Sequence, residues 1–170
     1  VGKQALATAA LEQSADTMRE GAASVLSGPG TAAERIERYL RLERDGLRGC
    51  RVGRMTFDPD VVTTPGLLEP VATTLDWLVG TLADVIREGV RDGEFAPDLD
   101  ARALASALAA VVQGGYVLAR AQQSVQPFDA AIDGAVALLA GLARAAGSAG
   151  SAGSAGQSGS AEPGSERNPA

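Results

Sequence analysis

Histidine is missing from this sequence, and cysteine occurs once, as Cys50. The first absence removes the commonest general base at neutral pH and the commonest transition-metal ligand. The second excludes an intrachain disulfide and fits a reducing compartment. Aromatic residues are scarce: Tyr39, Phe57, Trp77, Phe95, Tyr116 and Phe128 are the whole set. Strands favour β-branched and aromatic side chains, so a chain built on Ala, Leu and Gly points to helices. Long apolar runs are lacking, since none approaches the roughly 20 residues that span a bilayer. Charges scattered through residues 1–25 leave no signal-peptide pattern. Positive charge is not in excess either. The formal net charge is −6, whereas a domain that binds DNA by itself offers phosphates a basic face. There is no cysteine pair, P-loop or dinucleotide fingerprint. The expectation is a cytoplasmic protein that is not an enzyme, with no catalytic residues, no metal site, no cofactor and no membrane association.

What is present divides in two. From Ala146 onward the chain repeats Gly, Ser and Ala without a large apolar residue, too little to offset the entropy of ordering it. Residues 146–170 are therefore expected to form a flexible tail, and residues 1–145 a single all-α domain. Leu11, Ala15, Met18, Ala22 and Val25 alternate spacings of four and three, which predicts a first helix over residues 3–26 that stops at Ser27-Gly28-Pro29-Gly30. Thr31 and Glu34 have capping-box spacing. They start a second helix that buries Ile36, Leu40 and Leu47 and runs to Gly46–Gly49. A short helix is expected around residues 51–57, broken by Asp58-Pro59-Asp60. A long helix follows, with Val71, Leu75, Leu78, Leu82, Val85 and Gly89 on one face and Gly93 as its stop. Pro70 must lie in its first turn or kink it. Asp100 caps the next helix, and Gln126-Pro127 opens the last.

The penultimate helix is apolar on two sides. Leu104, Leu108, Val111, Gly115 and Leu118 form one face. Ala103, Ala107, Ala110, Gly114, Val117 and Ala121 form a second, mostly small. Phe128, Ile132, Ala135 and Leu139 line the final helix. A helix apolar on two sides needs two partners. One is the domain's own core; the other is either a second subunit or, in a monomer, more of the same core. The small stripe and the final helix's Phe128–Ile132–Ala135–Leu139 face are the expected dimer surface.

Three stretches carry a resemblance. Val1-Gly2-Lys3-Gln4-Ala5-Leu6 is similar to the junction at which TetR-family regulators leave their helix-turn-helix and enter a long connecting helix. Arg48-Gly49-Cys50-Arg51-Val52-Gly53 resembles the Gly-Cys motif of one subgroup. Glu88-Gly89-Val90-Arg91-Asp92-Gly93-Glu94-Phe95, followed by Asp100 and Ala103-Leu104-Ala105, looks like the passage between the family's two long helices. Gln113-Gly114-Gly115 and Leu118-Ala119-Arg120 match the same subgroup. The resemblance covers residues 3–142. It implies the C-terminal domain of a TetR-type repressor: a helix bundle with a two-helix dimerisation face, a homodimer, and a pocket for a small, mostly apolar effector. Operator DNA would be bound only through an N-terminal helix-turn-helix that is absent here. The competing function is a helical interaction or scaffold domain without a small ligand.

Within such a domain, Met55, Phe57, Trp77, Gln113 and Tyr116 are the expected pocket lining. They combine adaptable apolar groups with a few polar ones, although each is also an ordinary core or rim residue. Arg35, Arg38, Arg41 and Arg44 repeat every three residues, and Arg48, Arg51 and Arg54 continue the run. They read as a solvated face with ion pairs Glu34–Arg38 and Glu37–Arg41, or else as an anion-binding patch. Cys50 reads as a small buried hydrophobe, with a thiol made reactive by nearby arginines as the alternative.

Overall fold

A computed structural model describes residues 3–154, with side-chain surroundings for residue 6 and residues 8–147. Seven α-helices follow in order: α1 Lys3–Leu26, α2 Ala32–Leu40, α3 Arg51–Arg54, α4 Pro59–Thr63, α5 Pro65–Arg91, α6 Ala101–Gln122 and α7 Gln126–Ser154. A single 3-10 turn, Met55–Phe57, joins α3 to α4, and no strand occurs among the described residues. Helix α7 runs on to Ser154, eight residues past Ala146, where the sequence places the start of the tail; the rest of the tail, 155–170, lies outside the described residues.

Caps fix the helix boundaries. Thr31 accepts from the Glu34 amide while the Glu34 carboxylate accepts from the Thr31 amide at 3.0 Å, the reciprocal box read from their spacing. Glu94 adds a second cap from a distant loop. Its two carboxylate oxygens accept from the amides of Ala32 (2.8 Å) and Ala33 (2.9 Å). Gly93, at φ +76, turns the chain out of α5 in a left-handed conformation that costs glycine nothing. Phe95 is then fully buried. Gly89 makes room for it, since a Cβ there would sit 2.6 Å from the Phe95 ring and 2.7 Å from Ala32. Gly-Glu-Phe thus ends one helix, caps another and fills the core between them. Asp100 accepts from the amides of Arg102 and Ala103, both at 3.0 Å, and starts α6.

Two apolar clusters result. The larger gathers Leu26, Ile36, Leu40, Leu82, Ile86, Phe95, Ala105, Ile132 and Leu139 with their neighbours from α1, α2, α5, α6 and α7. The smaller joins Leu11 and Ala15 of α1 to Val52, Val61 and Val71. Arg19 of α1 donates at 2.9 Å to Thr74, a fully buried hydroxyl of α5 that itself donates to the Pro70 carbonyl. Pro70 lies inside α5 rather than in its first turn, because the helix begins at Pro65.

Several expectations are corrected. Helix α2 stops at Leu40, so Leu47 is exposed rather than buried. The cause is Arg44, whose guanidinium folds back onto the carbonyls of Tyr39, Leu40 and Leu42 at 2.6–2.9 Å and supplies the donors a further helical turn would have given. Asp58 does not merely break the chain; it caps the short helix α4. Helices α6 and α7 are long and apolar enough, by length and composition, to cross a bilayer. Alanine, leucine and valine raise mean hydropathy without an unbroken run. Here both helices lay their apolar stripes into the domain core, Ala105, Leu108 and Val112 on α6 and Ile132, Ala135 and Leu139 on α7.

Candidate functional site

The arginine run does not form one solvated face. Arg35 is nearly buried, paired with Glu88 of α5 and donating to the Leu26 carbonyl. Arg38 donates to the Pro29 carbonyl, and Glu34 belongs to the capping box, so the Glu34–Arg38 pair is not formed. Arg41 does pair with Glu37 at 2.9 Å and reaches Asp133 of α7 at 2.8 Å. Arg44 turns inward, its guanidinium 5.0 Å above the Tyr39 ring.

That inward turn builds the wall of a cavity of about 440 Å³. It lies where the two apolar clusters meet: Met18 and Cys50 both line it, and both pack against each cluster. Helix α1 contributes Ser14, Thr17, Met18, Gly21 and Ala22. Tyr39 and the loop residues Leu42, Glu43 and Arg44 come from the end of α2. Cys50, Arg51 and Val52 come from the start of α3, Leu78 from α5, and Val112, Gln113 and Tyr116 from α6. Mostly apolar walls with a few polar groups are the usual make-up of a small-molecule site, and the volume falls within the usual range.

Several of the polar groups have a structural reason for their place. Cys50 caps α3, its sulfur accepting from the Gly53 amide at 3.2 Å while lying 3.9 Å from the Met18 sulfur. Gly53 is buried against Gln113, and a Cβ at Gly53 would collide with the Gln113 amide oxygen. The absent side chain is what admits Gln113 to the wall. Tyr116 stacks on Phe128 of α7 with ring centroids 4.8 Å apart. Burial pushes its phenol up to about 12, against a smaller opposing pull from Arg44. Burial raises the Tyr39 phenol too, again opposed by Arg44. Both hydroxyls are neutral at physiological pH and available as donors.

Of the expected lining, Gln113 and Tyr116 border this cavity; Met55, Phe57 and Trp77 do not. Met55 packs with the smaller cluster and Trp77 against the larger one. Phe57 is 79% exposed, in an open groove with Arg54, Asp58, Pro59, Val117 and Arg120. Adaptability and closeness in sequence selected these three, but the 3-10 turn sets Met55 in a separate groove with Ala10, Leu11 and Ser14 of α1 and Phe57 in another with Val117 and Arg120 of α6. Tyr39, Arg44, Met18 and Cys50 were missed as lining. Tyr39 lies three residues past Ile36 and could have been marked by that spacing. Arg44 carries no local signal separating it from its exposed neighbours.

The expected dimer residues fall into two groups. Ala103, Ala107, Ala110, Gly114, Val117 and Ala121 are all exposed on α6. Phe128, Ile132, Ala135 and Leu139 are buried in the protomer's own core, which corrects their assignment to an intersubunit face. On α7 the exposed large apolar residues among those described are Leu138, at 73%, and Leu142. Among the described residues no cluster of three or more Cys, Asp or Glu is placed to hold a metal.

The architecture is an all-helical bundle with a mostly apolar cavity at the junction of its two cores. Residues 31–135 match the model of the family described as "Tetracyclin repressor-like, C-terminal domain", and the chain belongs to that family. It is similar to a TetR transcriptional regulator from Chloroflexus aurantiacus J-10-fl, with 27% identity, a TM-score of 0.72, and coverage of 80% of this chain and 71% of that one. The TetR-family regulator from Cytophaga hutchinsonii shares the fold at 22% identity, with a TM-score of 0.75 over 84% of this chain and 74% of that one. No curated protein matches. The family is one of transcriptional regulators.

Proposed function

We propose that this chain is the effector-sensing and dimerising part of a TetR-type repressor. A small, mostly apolar molecule occupies the cavity between α1, α2, α3, α5 and α6. The observation that carries this reading is the cavity itself, about 440 Å³, in which two un-ionised phenols, an amide and the Arg44 guanidinium are set among largely apolar walls, with Glu43 and Arg51 exposed at its border. A scaffold domain without a ligand gives no reason for Tyr39, Arg44, Gln113 and Tyr116 to converge on one mostly apolar cavity. The resemblance of residues 1–6 to the family junction makes α1 the helix on which a DNA-binding segment would hang. A ligand that favours one arrangement of α1 changes operator affinity only by its differential affinity for the two arrangements. A typical coupling of about 1–3 kcal/mol corresponds to roughly 5–150-fold.

The second subunit is placed against the exposed α6 stripe Ala103–Ala107–Ala110–Gly114–Val117–Ala121. Its small side chains allow a two-fold copy of the same helix to approach closely. Thermal unfolding in the presence of hydrophobic small molecules tests the sensing claim. A ligand that binds only the folded chain raises its stability by about 2.7 kcal/mol at a hundred times its Kd. If a verified inducer of the intact regulator leaves the unfolding temperature of this chain unchanged, the sensing assignment is wrong.

A further inference from the structure

The cavity wall is cationic. Its charged lining residues are Arg44 and Arg51 against Glu43 alone. Among the described residues, neither arginine takes part in an ion pair. Glu43 and Arg51 are exposed, where water screens them; Arg44 is half-buried. Asp45, the other acid beside Arg44 in sequence, pairs instead with Arg48 at 3.6 Å. Three of the five guanidinium N–H groups of Arg44 donate to backbone carbonyls, two from Nη1 and one from Nη2. Those carbonyls fix the side chain but carry only partial charge. The Nε–H and one Nη2–H are left over from these carbonyl bonds, on the side of the guanidinium from which arginine receives carboxylates. Among the described residues they meet no carboxylate, and the neutral Tyr39 hydroxyl is the side-chain partner of the guanidinium. The Tyr116 hydroxyl, on a buried residue, donates to no group among the described residues.

We infer that the cavity selects a monoanionic organic acid, its carboxylate received by the Arg44 guanidinium and the Tyr116 hydroxyl and its aromatic or alkyl body lying against Met18, Leu78 and Val112. The inference rests on the reading of the cavity as the effector site and names the chemical class that site takes. A neutral apolar molecule of the same shape would leave a half-buried cation without a counter-charge; a cationic one would add a second like charge beside it.

The test is calorimetric titration of the chain at neutral pH with benzoate, naphthoate and decanoate, each beside its neutral amide. The acid of at least one pair is expected to bind about ten- to a hundredfold more tightly than its amide, the scale of a charged hydrogen-bonded contact. Arg44→Met, checked for folding by circular dichroism, should abolish that preference, and Arg44→Lys should keep part of it. Tyr116→Phe, which leaves the α2 cap untouched, should weaken the acid by roughly two- to tenfold. It carries the residue-level test if Arg44→Met does not fold. Amides that bind as tightly as their acids overturn the acid class while the cavity stands as a ligand site. An acid preference that survives in folded Arg44→Met overturns the role of Arg44. If none of the six compounds binds, both the acid class and the effector-site reading fall.

Discussion

Glu94 caps a helix that is not its own. It sits in the loop after α5, yet it satisfies two amides at the start of α2, on top of the local Thr31–Glu34 box. Such charge-assisted bonds at a helix N-terminus are worth more than neutral ones. Glu94→Ala is expected to cost about 1–2 kcal/mol in urea unfolding, more than Thr31→Ala, because the local box survives in the first case and the Glu94 bonds survive in the second. Gly89→Ala puts a methyl within 2.7 Å of both Phe95 and Ala32 and should cost about 1–3 kcal/mol by overpacking. Tyr116 adds a pH dependence. Its phenol is pushed from 10.0 up to about 12 in the fold, so above pH 10 the unfolded chain loses a proton that the folded chain keeps. Folded protein then binds more protons, and stability falls as pH rises from about 10 to about 12, with no effect below that window. Tyrosinate absorbance should therefore appear well above pH 10 and together with unfolding. An ordinary titration near 10 in the folded chain would contradict the burial. Glycine and aspartate punctuation made the caps legible at Thr31, Gly93 and Asp100. Glu94's target lies about sixty residues away, and no local pattern announces it.

At the level of elements, periodicity located the long helices because each buries a continuous stripe. It misjudged where α2 ends, since the stop is a side chain, Arg44, reaching back onto three carbonyls rather than a Gly or Pro in the chain. It also misjudged which face of α7 is free. Phe128, Ile132, Ala135 and Leu139 form the apolar stripe, and the protomer itself buries it. Pattern alone cannot tell a stripe covered by the same chain from one covered by a copy. The α6 stripe differs in being left exposed. A Cβ at Gly114 meets nothing within 4 Å, so Gly114→Arg should leave the folded protomer intact by circular dichroism while sedimentation shows it shift from dimer to monomer at micromolar concentration. A variant that sediments as the parent does would remove α6 from the interface.

At the level of the whole molecule, the bundle has two apolar cores that Met18 and Cys50 bridge, and a gap opens beside that junction. The all-α class was legible from composition and spacing. The cavity was legible only in part: Gln113 and Tyr116 share an α6 strip that sequence can show, whereas Tyr39 and Arg44 enter it through a loop whose path depends on tertiary packing. The central claim is that this gap exists to hold a ligand, and Gly21 allows it to be tested without damaging the fold. Gly21 lines the cavity, and a Cβ there meets nothing within 4 Å. Gly21→Leu replaces a poor helix former by a good one, worth about 1 kcal/mol in α1, and sets a bulky side chain into the empty space. The decisive measurement is ligand-induced thermal stabilisation of Gly21→Leu beside the parent chain, with a compound that stabilises the parent. The account predicts a variant that is more stable without ligand and no longer responds to it; a variant stabilised by the compound as strongly as the parent would show that the ligand binds elsewhere.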